Sequence, residues 1–272
     1  MSFKLRVFAP AALLFAVLVV PFAAVPGETP KVWVCPPCGL PCDDSVFDHP
    51  GTCPKCGMTL VDRESAKAAA AEAPARKRVA MLVFDGVEII DYTGPWEVFG
   101  AADYDVYAVA ETKDPVTTAM GMKVVPKYTF ADAPQPDILV VPGGGVRAAR
   151  DSAATLAYVR NTTARADHTM SVCNGAFILA SAGLLDGLTA TTTAPLIDRL
   201  HAEYPSVKVV HDRRFVDNGK IVTTGGLSAG IDGALHLVAV MHGKDKAQAV
   251  AHGLEYDWRT ESGIIRADAA RR

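Results

Sequence analysis

The sequence predicts an α/β domain, a mostly parallel sheet sandwiched by helices, preceded by a small zinc-ribbon-like module. Three observations carry this reading. From Val79 onward, short continuous apolar runs alternate with helix-length segments, the pattern of strands buried on both faces. Five cysteines, Cys35, Cys38, Cys42, Cys53 and Cys56, crowd one short segment, while Cys173 stands alone far downstream. Half of the 272 residues are hydrophobic and only 21% are charged, which is ample material for one large core.

The elements follow in order. Val79–Phe84 is rich in strand formers, and Pro95–Ala101 reads as a helix with proline near its first turn. Tyr104–Ala110 alternates like a strand, and Asp137–Val141 is a continuous apolar one. Val146–Arg165 reads as a single helix, Thr169–Val172 as a short strand, and Asn174–Leu185 as an apolar helix. Asp217-Asn-Gly-Lys220 is a hairpin signal. Ser228–His242 is an apolar helix expected to be buried. The main domain therefore covers 79–258, with a tail at 259–272 and no internal repeats. A linker at 62–78, rich in Ala, Lys and Glu, has an Ala-rich centre able to form a loose helix without an apolar stripe.

Residues 1–27 read as an export segment. Lys4 and Arg6 precede an uncharged apolar stretch, Val7–Val25, interrupted by Pro10 and Pro21. That layout suits a secretory signal, and its length also approaches that of a membrane anchor. Either reading places the rest outside the cytoplasm, periplasmic or anchored facing outward. The net charge is −3 without a basic stripe, so no nucleic-acid partner is expected.

Cys173 ends an expected strand and Gly175 opens an expected helix. A thiol at such a turn faces the following helix's N-terminus, which favours the thiolate. The other reading of a lone cysteine is a small buried hydrophobe. Asp137-Ile-Leu-Val-Val-Pro-Gly-Gly-Gly145 is a strand entering a glycine-rich turn, where backbone N–H groups approach a ligand closely. Gly143-x-Gly145-x-x-Ala148 imitates a dinucleotide fingerprint, but it follows several strands and carries Pro142 in its turn.

Cys35-Pro-Pro-Cys38 and Cys53-Pro-Lys-Cys56 are two knuckles separated by fourteen residues, each followed by glycine. Four thiolates so spaced suit tetrahedral zinc in a structural role. Disulfides are the alternative in an oxidising compartment, and copper is a third. Cys42, His49 and Met58 are spare soft ligands. Pro50–Met58 resembles the heavy-metal-binding domain attached to metal-handling proteins, over 32–61. It departs at the first knuckle, where that family often has Met-His.

Three segments, in order, resemble the ThiJ/PfpI superfamily, also called class I glutamine amidotransferase-like, whose fold is flavodoxin-like. They are Asp91-Tyr-Thr-Gly-Pro-Trp-Glu-Val-Phe99, Val141-Pro-Gly-Gly144 and Ser171-Val-Cys-Asn-Gly-Ala176. Ala182-Gly-Leu-Leu-Asp-Gly187 and Gly225-Gly-Leu-Ser-Ala-Gly-Ile-Asp232 extend the likeness, which is nearest to isonitrile hydratases and the amidase-like domains of AraC-type regulators. The resemblance implies Cys173 as nucleophile and Asp91 as the acid on its sulfur. It also implies backbone N–H groups of Gly144 and Asn174 as the oxyanion site, no cofactor in the main domain, and a homodimer. Where proteases of this superfamily keep histidine after the cysteine, this chain has Asn174. Where many members keep Thr-Thr-His, it has Thr193 in the histidine's place. His168, His201, His211 and His236 are expected at the surface or capped. Hydratase chemistry on a small electrophile survives these departures better than proteolysis. A cysteine-based redox, electrophile or metal-stress sensor is the alternative.

Overall fold

The computed structural model describes residues 31–36, 42, 44–72 and 76–265. The expected export segment, Cys38 and residues 266–272 of the tail lie outside the described residues. Two units are distinct, 1–74 and 75–272. Among the described residues, no helix is long and apolar enough to cross a membrane.

The first unit holds β1 (Trp33–Val34), β2 (Val46–Phe47) and β3 (Val61–Asp62), joined antiparallel in the order β2-β1-β3. Helix α1 (Arg63–Glu72) follows. Asp62 caps it, accepting from the Ser65 N–H at 2.9 Å and the Ser65 hydroxyl at 2.8 Å. The apolar core of this unit is little more than Leu60, Trp33 and Phe47 around the cysteines.

The second unit opens with β4 (Arg78–Leu82), α2 (Ile89–Ala101) and β5 (Asp105–Ala110). It continues through a small hairpin, β6 (Val116–Thr117) and β7 (Lys123–Val124), and β8 (Tyr128–Thr129). Then come β9 (Ile138–Val141), α3 (Arg147–Asp151), α4 (Ala153–Arg165), β10 (His168–Ser171) and α5 (Gly175–Ser181). A short side pair, β11 (Thr189–Ala190) and β12 (Lys208–Val209), flanks α6 (Ile197–Glu203). The last elements are β13 (Phe215–Asp217), β14 (Ile221–Thr224), α7 (Ala229–His242), α8 (Lys244–Gly253) and β15 (Gly263–Ile265).

The main sheet has eight strands in the order β15-β13-β14-β10-β9-β4-β5-β8. All its pairings are parallel except the β13–β14 hairpin. Alternate residues of each strand enter opposite cores, as the two-residue period of a strand requires. Val79, Met81, Ile138 and Val140 pack with α2, α7 and α8. Ala80, Leu82, Leu139 and Val141 pack on the other face with Phe177, Ile178 and Val159. This double burial explains the unbroken apolar runs. The hairpin turns at Asn218-Gly219, with Gly219 at φ 88° and the Asn218 N–H donating to Ile221 O at 2.9 Å.

Two helices depart from expectation. Helix α2 begins at Ile89, six residues before the expected start, and contains Pro95 in its interior. Tertiary contacts hold its opening: Glu88 N–H donates to Gly143 O at 2.9 Å, and Val87 bridges Gly144. Within it, the Thr93 hydroxyl donates to Ile89 O at 2.8 Å. The segment 146–165 is two helices, α3 and α4, broken at Ser152. Ser152 is extended there, at ψ 116°, and its side chain accepts from the Thr155 N–H at 3.2 Å. A serine able to cap a new helix competes with continuing the old one.

Ser152→Ala removes that cap. The expected loss is about 1 kcal/mol of stability, read as a lower denaturant midpoint with an unchanged slope.

Candidate functional site

Strand β10 delivers its chain to the carboxyl edge of the sheet, the edge where open α/β sheets place their ligand crevices. There Cys173 takes φ 56°, a left-handed conformation that an L residue holds only under constraint. Both of its backbone groups are tied. Its N–H donates to Gly225 O at 2.9 Å, and its carbonyl accepts from the Thr192 hydroxyl at 2.7 Å. Gly175 makes the sharp exit feasible, since an added Cβ would sit 2.1 Å from Val141 O at the end of β9. The elbow lifts a half-buried thiol out of an otherwise buried strand.

Asp91, on the first turn of α2, has no exposed surface. Its carboxylate accepts from Gly143 N–H and Leu227 N–H, each at 3.0 Å. The Cys173 thiol is a further neighbour that acts on its acidity. The expected pairing of Asp91 with Cys173 is therefore present. The Asn174 N–H and the Thr193 hydroxyl both favour charge on the sulfur. Thr193 thus stands not only where relatives keep histidine but beside the nucleophile itself. Gly226 closes the group, with an added Cβ falling 2.8 Å from Thr193 Oγ1 and 3.4 Å from Cys173 Sγ.

Burial governs the protons. Desolvation raises the Asp91 carboxyl to about 6, outweighing its two backbone donors. Desolvation and then the Asp91 charge raise the Cys173 thiol to about 12, against the Asn174 N–H and the Thr193 hydroxyl. This corrects the expectation of a standing thiolate. The elbow helix α5 has only seven residues, and an ionised Asp91 opposes the thiolate rather than favouring it. Between about 6 and about 12 the pair holds one proton, on sulfur.

The expected oxyanion donors divide. The Asn174 N–H favours charge on the sulfur. The Gly144 N–H is taken: it donates to Asn174 Oδ1 at 2.7 Å, and Asn174 Nδ2 donates to Gly144 O at 2.9 Å. The Asn174 side chain is thus a clamp on the glycine-rich turn, a role invisible in the sequence. Thr192, Gly225 and the Leu227 amide were also missed. The only signal for the first was a run of three threonines before Pro195.

The histidines are occupied elsewhere. His168 pairs with Gly219 O at 3.0 Å and His201 with Val207 O at 3.0 Å. His211 pairs with Asp198 at 3.0 Å. His236 was expected at the surface or capped, and it is capped but buried: it meets Asp217 at 2.8 Å beneath a stacked Phe215. Among the described residues no histidine hydrogen-bonds Cys173 or Asp91.

In the first unit, Cys35, Cys42, Cys53 and Cys56 converge, their sulfurs all within 4.8 Å of one another. Three of these four cysteines are buried. A zinc tetrahedron with bonds of about 2.3 Å has sulfur–sulfur edges of about 3.8 Å, so the cluster fits such an ion. Among the described residues Cys42, expected as a spare ligand, joins the cluster; Cys38, expected as a ligand, lies outside them. The second knuckle is built as expected: Cys53 N–H donates to Met58 O at 2.8 Å and Gly57 N–H to Cys53 O at 2.9 Å. The Met58 N–H on the Cys56 sulfur is the leading cause that lowers this thiol to about 6.

Comparison with known proteins follows the same division. The DJ-1/PfpI family model matches residues 77–240, and a heavy metal binding domain model matches 32–62. An isonitrile hydratase of Pseudomonas putida is 38% identical over 182 residues, 66% of this chain and 78% of the hydratase. The HTH-type transcriptional regulator CdhR of Pseudomonas aeruginosa is 29% identical over 153 residues, 56% of this chain and 45% of the regulator. A THiJ/PfpI family protein from Pseudomonas syringae superposes with TM-score 0.63 at 35% identity, over 69% of this chain and 78% of that one. DJ-1beta of Drosophila melanogaster shares the fold at 22% identity, with TM-score 0.61 over 67% of this chain and all of its own.

The site predicts opposite effects of two substitutions on Cys173 alkylation. Asp91→Asn removes the carboxylate charge and moves the pH inflection of the rate downward. Thr193→Val removes a hydroxyl that favours charge on the sulfur and moves it upward. Iodoacetamide labelling across pH, read on the Cys173 peptide by mass spectrometry, measures both shifts.

Proposed function

The chain belongs to the DJ-1/PfpI family, and on that premise we propose that its main domain is a cysteine-nucleophile hydratase acting on a small electrophile, an isonitrile. The observation that carries the reading is the buried Asp91 beside the Cys173 elbow, held by the Gly143 and Leu227 N–H groups, with no histidine hydrogen-bonded to either residue among the described residues. Such a site has one proton-handling group and one nucleophile. Isonitrile hydration needs no more, and 38% identity to an isonitrile hydratase supports it. Leu227 and Ile90, at 51% and 37% exposure, offer apolar surface near Asp91 for a hydrocarbon substituent.

The chemistry balances on these residues. Cys173 Sγ attacks the terminal carbon of R–NC while its proton passes to the Asp91 carboxylate. Asp91 returns that proton to the same carbon, leaving a thioimidate, Cys–S–CH=N–R. Water adds at this carbon and its proton goes to nitrogen. The carbon–sulfur bond then breaks, the hydroxyl proton returns through Asp91 to sulfur, and the formamide R–NH–CHO leaves. The net reaction adds one water. A carboxyl group raised to about 6 can both accept and donate near neutrality.

The first unit is read as a structural zinc module held by Cys35, Cys42, Cys53 and Cys56, its metal substituting for the core so short a segment lacks. Residues 1–27 are read as an export signal or anchor, on the basis of Lys4, Arg6 and the apolar stretch after them. A second reading, ligand sensing without turnover, draws support from the regulator relative.

Two measurements test these readings on the full chain. Incubation with an alkyl isonitrile should yield the formamide catalytically, by NMR. Cys173→Ala should abolish this, Asp91→Asn should reduce it by roughly 10²–10⁴, and His211→Ala should leave it intact. Full activity in Cys173→Ala removes the reading, and a stoichiometric adduct without turnover selects the sensor. Metal analysis should find one zinc per chain. Chelation should release it and expose the four cluster thiols to reagent; unreactive thiols after chelation would mean disulfides instead.

A further inference from the structure

A cleft of about 470 Å³ is lined by Asn174, the residue after the elbow cysteine, but not by Cys173 itself. That volume is in the range of small-molecule sites. Its walls combine the Gly144–Gly145 turn, the Asn174 side chain, Phe177 and Leu196 with three guanidinium groups, Arg147, Arg150 and Arg199.

The three arginines come from two helices, Arg147 and Arg150 from α3 and Arg199 from α6. Glu203 holds two of them in place. Arg150 Nη1 donates to its Oε2 at 2.7 Å, and Arg199 Nε to its Oε1 at 2.6 Å. Both guanidinium groups lie over the Phe177 ring, at 5.6 Å and 5.9 Å from its centroid, which fixes their planes further. Asp151 also acts on Arg150. Arg147, which is exposed, has no hydrogen bond or ion pair among the described residues. Three cations thus face two carboxylates, Glu203 and Asp151, and the unmatched one is Arg147. None of these groups takes part in the Asp91–Cys173 chemistry.

Two oriented guanidinium groups, a third without a partner, and an aromatic floor form a concave cationic surface. We propose that this cleft is a binding site for a small organic anion, recognised through a carboxylate or a phosphate group. Planar guanidinium forks match the oxygens of either group, and an anion at Arg147 balances the remaining charge. Leu196, half-buried, receives the apolar part of the ligand. The inference does not depend on turnover at Cys173.

The test uses the full chain carrying Cys173→Ser, which keeps the cleft and removes the nucleophile. Inorganic phosphate and malonate are titrated separately by calorimetry at low ionic strength. Saturable binding is expected, weakening as salt rises. Arg147→Gln should weaken it about tenfold, and Arg147→Lys should restore part of the loss. Phenylglyoxal labelling of the Arg147 peptide should be slowed by the same anion. Tighter binding of phosphate assigns a phosphorylated ligand, and tighter binding of malonate a carboxylate. If neither anion binds saturably, or if Arg147→Gln binds as tightly as the parent, the proposal is overturned.

Discussion

The carboxylate of Asp91, wholly buried, accepts one hydrogen bond from the Gly143 N–H and another from the Leu227 N–H. Those two amides belong to loops that follow β9 and β14, on either side of the strand that ends in Cys173. One side chain therefore ties three carboxyl-edge segments together, and most other features of the site follow from it. The Gly143–Gly144 turn is held from the other side by the reciprocal Asn174 pair. The Gly225–Leu227 loop, fixed at Leu227, supplies the carbonyl that anchors the strained Cys173 amide. An unpaired carboxylate at this depth would be prohibitive. Two backbone donors make it tolerable without returning it to an ordinary acidity.

The same burial sets the chemical character of the pair. Desolvation raises both groups, and the Asp91 charge raises the thiol further. One proton is shared, and it rests on sulfur across neutrality. A cysteine activated by a neighbouring cation would stand ready as a thiolate and would also be open to adventitious oxidation. Here burial and the Asp91 charge keep the proton on the thiol, and Asp91 is the carboxylate beside it. Thr193 fits this arrangement. A hydroxyl supports charge on sulfur without bringing a titratable group into the site.

The first unit follows a different rule. The main domain buries two apolar layers against a sheet. The small unit has Leu60, Trp33 and Phe47 as its apolar content and four sulfurs at its centre. Among its described residues, the sulfurs rather than an apolar layer occupy the centre.

The sequence by itself determined the class of the fold, because strands buried on both faces must be continuously apolar and these runs, at Val79–Phe84 and Asp137–Val141, are so. The resemblance of the motifs around them also pointed to Cys173 and Asp91, which lie close together in the structure. The helix boundaries were less legible. Nothing local starts a helix at Ile89, where the start is fixed by Gly143 and Gly144 from 50 or more residues away. Roles that require a partner from elsewhere in the chain were decided only by the tertiary structure. Asn174 read as a donor amide and became a clamp; Thr193 read as a lost histidine and became a support for charge on sulfur; Cys42 read as a spare and joined the cluster. The thiol's acidity lies in the same class. Helix position argues for a thiolate, but desolvation and a buried carboxylate are properties of packing, and packing is what a linear sequence leaves unstated.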